Sequence, residues 1–406
     1  MQIFDTLIIG GGPAGLFAAI HCQSLKTAVL EKNAEPGKKL LISGSGQCNF
    51  THEGDIADFL SHYGSNFRFL KPALRKFTNA HLMNFFTQRG LGIITDKNGK
   101  VFPASLRSSD ILEILTGECA KHNISIFSHD AVLTVEKTAD GFLIKTTANK
   151  YGCKNLVIAT GGMSYPSTGS TGDGYHFAKQ LGHSIIPPKP ALTPVFIRHF
   201  TMAGLAGVSL QDVPVFLFRA SKKIAGHQGD IGFTHKGLSG PGILDFSRNI
   251  QSGDILKLNI IKQNTENFRE TFMETAEKEG KMTIQMLMKN YDIPRSLMKL
   301  ILDELNLKPD HKLAQITREQ RNNLVVSFCE YPFEVESTGG FAMAMTTRGG
   351  VSLNEVSSKT MESKLVKNLY FAGEVLDIDG DTGGYNLQAA FSTGYLAADA
   401  INIKSL

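Results

Sequence analysis

Short, mostly apolar runs alternate with segments of helical period at both ends of the chain, and this pattern sets the fold class. Thr6-Leu7-Ile8-Ile9 reads as a short strand buried on both faces, and apolar-periodic text begins near Pro13. A second buried run, Thr27-Ala28-Val29-Leu30, follows; Asn155 to Ile158 and Asn368 to Phe371 are further runs, each closed by glycines. Strand–turn–helix units of this kind build a parallel sheet with helices on its faces. Between them, Asp96-Lys97-Asn98-Gly99-Lys100 is a hairpin turn. The alternating runs Ala131 to Thr138 and Phe142 to Thr147, split by Asp140-Gly141, read as a meander. Phe67 to Arg89 reads as one basic helix with Leu70, Leu74 and Phe77 on one face, and Ser108-Ser109-Asp110 as the cap of a helix reaching about Lys121.

The pattern changes after Pro187-Pro188-Lys189-Pro190. Short alternating strands such as Pro214-Val215-Phe216-Leu217-Phe218 occupy the text to about residue 262, and helical text follows to 328 with a break at Asp292-Ile293-Pro294. Strand-like text returns from Phe333 to Val351. The expected organisation is therefore a nucleotide-binding domain in two parts, residues 1–190 and 352–406. It is interrupted by an inserted domain, 191–351, whose β part is about 191–262 and 329–351 and whose helical part is about 263–328.

Composition narrows the classes. With 42% hydrophobic and 20% charged residues and a net charge of +4, the 406-residue chain has a globular balance. No Lys/Arg-rich run of the kind that binds polyanions occurs, so no nucleic-acid partner is expected. Five scattered cysteines without a C-x-x-C, and twelve histidines without ligand spacing, point to a reducing compartment and to no metal. No apolar run approaches the ~20 residues that span a bilayer, and the N-terminus lacks a signal pattern; a cytoplasmic protein without a membrane partner is expected.

The chemistry lies in the glycines. Gly10-Gly11-Gly12-Pro13-Ala14-Gly15 carries G-x-G-x-x-G between a strand and a helix. Gly10 permits the tight turn, Gly12 lets a pyrophosphate approach the backbone, and Gly15 lets the helix pack close to the strand. The helix offers its free N–H groups and positive dipole end to phosphate. Glu31 lies at the end of the second strand, ~20 positions beyond the first glycine, where an acid hydrogen-bonds a ribose hydroxyl and repels a 2′-phosphate.

Three more stretches decide between NAD and FAD. Gly37 to Asn49 (GKKLLISGSGQCN) passes small residues close to a flat ring or phosphate, with Lys38 or Lys39 for charge. Ala159-Thr160-Gly161-Gly162 closes a buried strand. Tyr370-Phe371-Ala372-Gly373-Glu374 and then Gly383-Gly384-Tyr385-Asn386-Leu387 feed a helix expected from Tyr385 to about Ala400, whose N-terminus suits the charge near N1 and O2 of a reduced flavin. Glu374 is placed for ribityl hydroxyls. A distant second half-site suits FAD, which is far longer than its AMP part.

These stretches, together with THKGLSGPGILDFSR (residues 234–248), resemble in order the YhiN/BaiN-like family, also called aminoacetone-oxidase-like FAD proteins, over nearly the whole chain. Gln47 stands where many relatives carry Arg. The resemblance implies an α/β, Rossmann-type flavoprotein of the two-dinucleotide-binding-domain kind, non-covalent FAD and oxidoreductase activity, and it adds Val132 as a backbone contact to adenine. The cofactor-contact set is then Gly10, Gly12, Pro13, Ala14, Gly15, Glu31, Lys32, Lys39, Gly44, Gly46, Gln47, Cys48, Asn49, Val132, Thr160, Gly161, Gly162, Gly373, Glu374, Gly384, Tyr385, Asn386 and Leu387.

The expected activity is hydride transfer between a small organic substrate and flavin N5. The alternatives are an oxidase of small amines and, from another class, a flavoprotein of nucleic-acid modification or regulation. NAD(P)H is an electron donor only by transient docking, because no second glycine turn with a ribose reader is present. No acid or base is legible; Tyr165 and Tyr385 are weak catalytic candidates lining the flavin, and Asn49, His235 and Arg348 are candidate substrate contacts. Cys48 reads as a small buried residue rather than a redox thiol.

Overall fold

The computed structural model describes residues 1–22 and 25–405. The chain folds into two compact units, residues 1–191 with 341–406 and residues 192–340.

The first unit is built on a seven-stranded sheet. Strand β1 (Gln2–Ile9) lies at its centre, parallel to β2 (Thr27–Leu30) on one side and to Lys150–Ile158 on the other. Ser125–Phe127 continues the parallel order beyond β2, and Leu369–Phe371 adds in parallel to Lys150–Ile158. Val132–Lys137 and Phe142–Thr146 complete the sheet as the antiparallel meander. The register aligns the strand ends: Ile9 pairs with Leu30 and Ile158, and Ile158 pairs with Phe371. Gly10, Glu31, Ala159 and Ala372 therefore leave the sheet together, at the carboxyl edge where doubly wound sheets bind ligands. All four residues of β2 are buried, as the unbroken apolar run requires. Helix α1 (Pro13–His21) connects β1 to β2, and its packing partner is the C-terminal helix, Tyr385–Ser405.

Four details differ from the sequence expectation. The text from Phe67 to Arg89 forms two helices, Phe67–Lys76 and Asn79–Thr87, because Thr78 caps the second: its hydroxyl accepts His81 N–H while His81 Nδ1 accepts Thr78 N–H. Ser108 is the first helical residue rather than a cap, and its hydroxyl donates to Leu41 O at 2.7 Å. The proline run is a strand, Ile185–Ala191, paired antiparallel with Thr346–Val351 across an irregularity. That pairing ties 341–351 to the first unit, so the inserted unit closes at Gly340 instead of Val351. Prolines sit in this ladder because a two-stranded pair leaves each strand an open edge.

The second unit closes six strands into a barrel in the order 195–197, 237–239, 222–233, 209–219, 255–258 and 331–338. Four α-helices follow its fifth strand in sequence: Thr265–Lys278, Ile284–Met288, Arg295–Glu304 and Arg318–Cys329. Among the described residues no helix is long and apolar enough to cross a membrane.

Candidate active site

The three glycines of the first turn have different reasons. Gly10 has φ +110°, and a Cβ there would lie 2.5 Å from Ala159 O. A Cβ on Gly15 would lie 1.9 Å from Gly10 O, so the start of α1 presses on the turn itself. Gly12 has φ −82°, open to any residue, and a Cβ on it would meet nothing within 4 Å. The polypeptide needs the outer two glycines; only a ligand needs the middle one. Gly12 also begins α1 with no side-chain cap, no acid in the first turn and Pro13 at its start, leaving a positive helix end for an anion. Ala14 sits where α1, the Gly373 turn and Gly394 of the C-terminal helix meet, with its carbonyl oxygen 2.4 Å from a Cβ built on Gly394. This geometry fits the pyrophosphate of FAD.

Glu31 is buried beside it. One carboxylate oxygen accepts Gly11 N–H at 2.9 Å, and the other accepts the backbone and side-chain N–H of Asn33, each at 2.8 Å. A carboxylate offers about four acceptor positions, which leaves one for a ribose hydroxyl. Asp130 N–H donates to Glu31 O, bringing the start of the Val132 strand to the same corner, with Val132 half-buried opposite Thr146. Lys32 turns the other way: its ammonium pairs with Asp173 and bonds Thr171.

Beyond the ends of Lys150–Ile158 and Leu369–Phe371 a second cluster forms. Lys39 pairs with Glu374 at 2.6 Å, and Glu374 also accepts Ser164 Oγ–H and Thr347 N–H, each at 2.8 Å. Thr347 Oγ1 accepts the N–H of Met163 and Ser164. A Cβ on Gly162 would strike Thr347 Oγ1 at 2.4 Å and Glu374 Oε1 at 2.8 Å. Thr160 packs under the same loop, within 2.1 Å of a Cβ built on Gly174, and Gly161 has φ +74°. Lys39, Gly162 and Glu374 are thus brought together, joined by Ser164 and Thr347, which lie in stretches the sequence marks but were not among the expected contacts. Tyr165 follows in the left-handed region (φ +50°), half-buried, its N–H bonded to Phe341 O.

The loop Ser43–Asn49 holds four left-handed residues, Gly44, Ser45, Gly46 and Cys48. Strain at two non-glycine positions is characteristic of a ligand-facing turn. Gly44, Ser45 and Gln47 face solvent; Cys48 is fully buried and its thiol is pushed up to about 12 by loss of hydration, so it is no nucleophile. Asn49 is a strut: in the orientation that satisfies its amide it donates to Thr51 O and Val101 O and accepts Gly384 N–H at 3.1 Å. Gly384 has φ +93°, and a Cβ there would lie 2.4 Å from Thr51 O. Asn386 likewise braces its own loop, exchanging two hydrogen bonds with the backbone of Gly380. Leu387, half-buried, follows in the first turn of the helix.

Around Tyr385 lies a group that sequence reading missed. Its buried ring lies near-parallel to His62, with centroids 3.9 Å apart, and to His52 at 5.3 Å. Tyr63 donates its hydroxyl to Tyr385 O at 2.8 Å, and His62 Nδ1 lies 3.0 Å from Asp381 Oδ2. Of the remaining candidates, Arg348 is exposed in its strand opposite Lys189, and His235 is exposed in the second unit. Among the described residues no group of three or more His, Cys, Asp or Glu side chains could hold a metal ion.

A Rossmann sheet with an open glycine turn at the end of its first strand and a buried acid at the end of its second is the frame of an FAD-dependent oxidoreductase. The chain belongs to the family described as HI0933-like protein Rossmann domain, which it matches over residues 4–400. It is 33% identical to the ribosomal RNA dihydrouridine synthase of Haemophilus influenzae, over 99% of each chain. It is 30% identical to the 3-dehydro-bile acid delta(4,6)-reductase of Clostridium scindens, over 97% of this chain and 98% of that one. Among solved structures it shares its fold with a flavocytochrome c3 fumarate reductase (TM-score 0.52, 15% identity, 100% of this chain and 79% of that one).

Proposed function

We propose that the protein is an FAD-dependent reductase of a carbon–carbon double bond conjugated to a carbonyl group, carried by a small molecule. One observation carries this reading: two relatives of nearly equal length bear names for different substrates and the same bond change. Dihydrouridine is uridine with its ring C=C, conjugated to a ring carbonyl, saturated; a delta(4,6)-reductase of a 3-keto acid saturates a C=C conjugated to that ketone. Bound FAD supplies the hydride from N5. The chain's own part is to hold the pyrophosphate at Gly12 and α1, the ribose at Glu31 and the ribityl chain near Glu374, all without a covalent bond. The electron donor is NAD(P)H, docking transiently in the substrate's cavity, because the second unit offers a barrel and helices rather than another strand–glycine–helix unit. Five free, buried cysteines support a cytoplasmic location.

A second reading keeps the same bond change and places it in a uridine of RNA; the name of the Haemophilus relative favours it. Anaerobic stopped-flow tests both. Dithionite-reduced holoprotein is expected to be reoxidised by 2-cyclohexen-1-one or a 3-keto-4-ene steroid, and NADH is expected to reduce the flavin slowly with ping-pong kinetics. Reoxidation by a uridine-containing ribosomal RNA fragment alone selects the second reading. Reduction of the oxidised flavin by aminoacetone, with no enone turnover, replaces both by an amine oxidase.

A further inference from the structure

His62 is held on one edge of its ring and partly exposed on the other. It lies in the irregular segment Asp58–Asn66 and is fixed twice to the loop preceding the C-terminal helix: its Nδ1 to Asp381 Oδ2 at 3.0 Å, and its carbonyl oxygen to Asp381 N–H at 3.0 Å. A carboxylate on Nδ1 keeps a proton there and fixes the ring. Nε2 has no hydrogen-bond partner among the described residues, and 36% of the side chain is exposed. The ring lies flat against Tyr385, the first residue of the C-terminal helix, whose N-terminus the sequence assigns to the flavin ring.

The other acids nearby are engaged. Both ring nitrogens of His52 face carbonyl oxygens, Glu53 O and Asn98 O, at 2.8 Å. Tyr63 is buried, with its hydroxyl given to Tyr385 O, and the Cys48 thiol is sealed in the core. Tyr165, on the opposite loop, is the remaining rival.

We propose that His62 is the acid of the reduction, its Nε2–H holding the substrate's carbonyl oxygen and giving that oxygen its proton as hydride reaches the β carbon. This rests on the reductase reading above. The hydride pair becomes the new C–H bond at the β carbon. The C=C π pair moves to form the enol double bond, and the carbonyl π pair takes the proton. His62 is left neutral with Nδ1–H still on Asp381, and water restores its proton. The enol tautomerises to the saturated carbonyl, and the reduced flavin supplies both electrons.

The test uses H62Q, D381N and Y165F holoproteins. With dithionite-reduced enzyme and 2-cyclohexen-1-one, H62Q should slow reoxidation on the order of 10²–10⁴-fold, the usual worth of a placed general acid. D381N should fall between H62Q and the parent, and free imidazole should rescue part of the H62Q loss. FAD affinity, followed by flavin fluorescence, should stay at the parent value in H62Q. In the oxidised proteins, p-nitrophenol imitates the enolate: the parent should bind it as the coloured phenolate, and H62Q should not. A parent that is not reoxidised by the enone removes the reductase reading and leaves the phenolate titration to decide His62. A parent without the phenolate band, equal binding by H62Q, parent-rate reoxidation by H62Q, or a rate loss that follows loss of FAD overturns the assignment. Loss of the proton step in Y165F alone transfers it to Tyr165.

Discussion

The two ends of the candidate FAD site are built in opposite ways. At the glycine-turn end the groups that would face the ligand come from one β1–α1–β2 unit, where Gly11 N–H meets Glu31 across 20 positions. The ring end is assembled from pieces that meet only in the folded chain: Lys39 with Glu374, 335 positions apart, and His62 with Asp381, 319 apart. A local unit holds its geometry through backbone packing, so its side chains are nearly interchangeable except where ligand enters. A non-local cluster holds through charge and hydrogen bonds, so each member supports the others. Substitutions at the first end should therefore separate folding from binding, and substitutions at the second should couple them.

The largest effect tests the first half of that contrast. Gly15→Val drives a side chain into Gly10 O and should abolish the cooperative thermal transition, whereas Gly12→Val should keep the transition and lose FAD. Equal damage to both properties in both variants would erase the distinction between packing and ligand glycines. Next is acid stability at the end of α1. Burial among Phe17, Phe77, Phe85 and Tyr395 lowers the His21 pKa from 6.5 to about 4, against a hydrogen bond to Phe17 O that raises it. The folded state resists a proton that the unfolded chain accepts, so this contribution is intact above pH 6.5 and lost as pH falls from 6.5 toward 4. The loss should reach roughly 3 kcal/mol at the lower end. His21→Phe should flatten that limb of urea melts taken across the range.

At the ring end, Lys39→Met leaves the mostly buried Glu374 without its cation. Stability and FAD affinity should fall together, stability by roughly 1–3 kcal/mol, as for a buried group deprived of its partner. Affinity falling with an unchanged melt would show that the pair serves the ligand alone. The smallest effect is Glu31→Gln, which should weaken FAD binding by about 1.5 kcal/mol, the lower value for a bond to a charged group, and calorimetry on the apoprotein measures it.

The same contrast explains what was legible in the sequence. The bounds of β2, the turn at Gly10 and the acid at Glu31 follow from a period and a spacing, both local quantities. The left-handed run in Ser43–Asn49 was legible as glycines, but the roles of Asn49 and Asn386 as struts were not, because an amide in a loop looks alike whether it meets a ligand or a backbone. Ser164, Thr347 and Asp381 lie in glycine-rich stretches that were legible as loops, but their partners were not, and His62 was invisible: each acquires its role from a residue far away in sequence. The helix break at Thr78 was readable in principle, since a threonine before Asn79 offers an N-cap, yet the apolar stripe through Phe77 outweighed it. The inserted unit's end at Gly340 depends on a strand pairing across the insertion, which no composition shift announces.

That pairing has a consequence for how such a chain can change over generations. Ala191 and Thr346 are hydrogen-bonded neighbours in the first unit, and Thr193 Oγ1 reaches Gly339 O in the second. The outgoing and returning passages therefore run side by side on each bank of the boundary, like the two leads of a plug. Whatever is wired between them, long or short, starts and finishes at the same socket, and the closure entropy of such a detour grows only with the logarithm of its length. The first unit can keep its sheet and its glycines while the detour is lengthened, shortened or exchanged, so the insertion is free to change as a cassette.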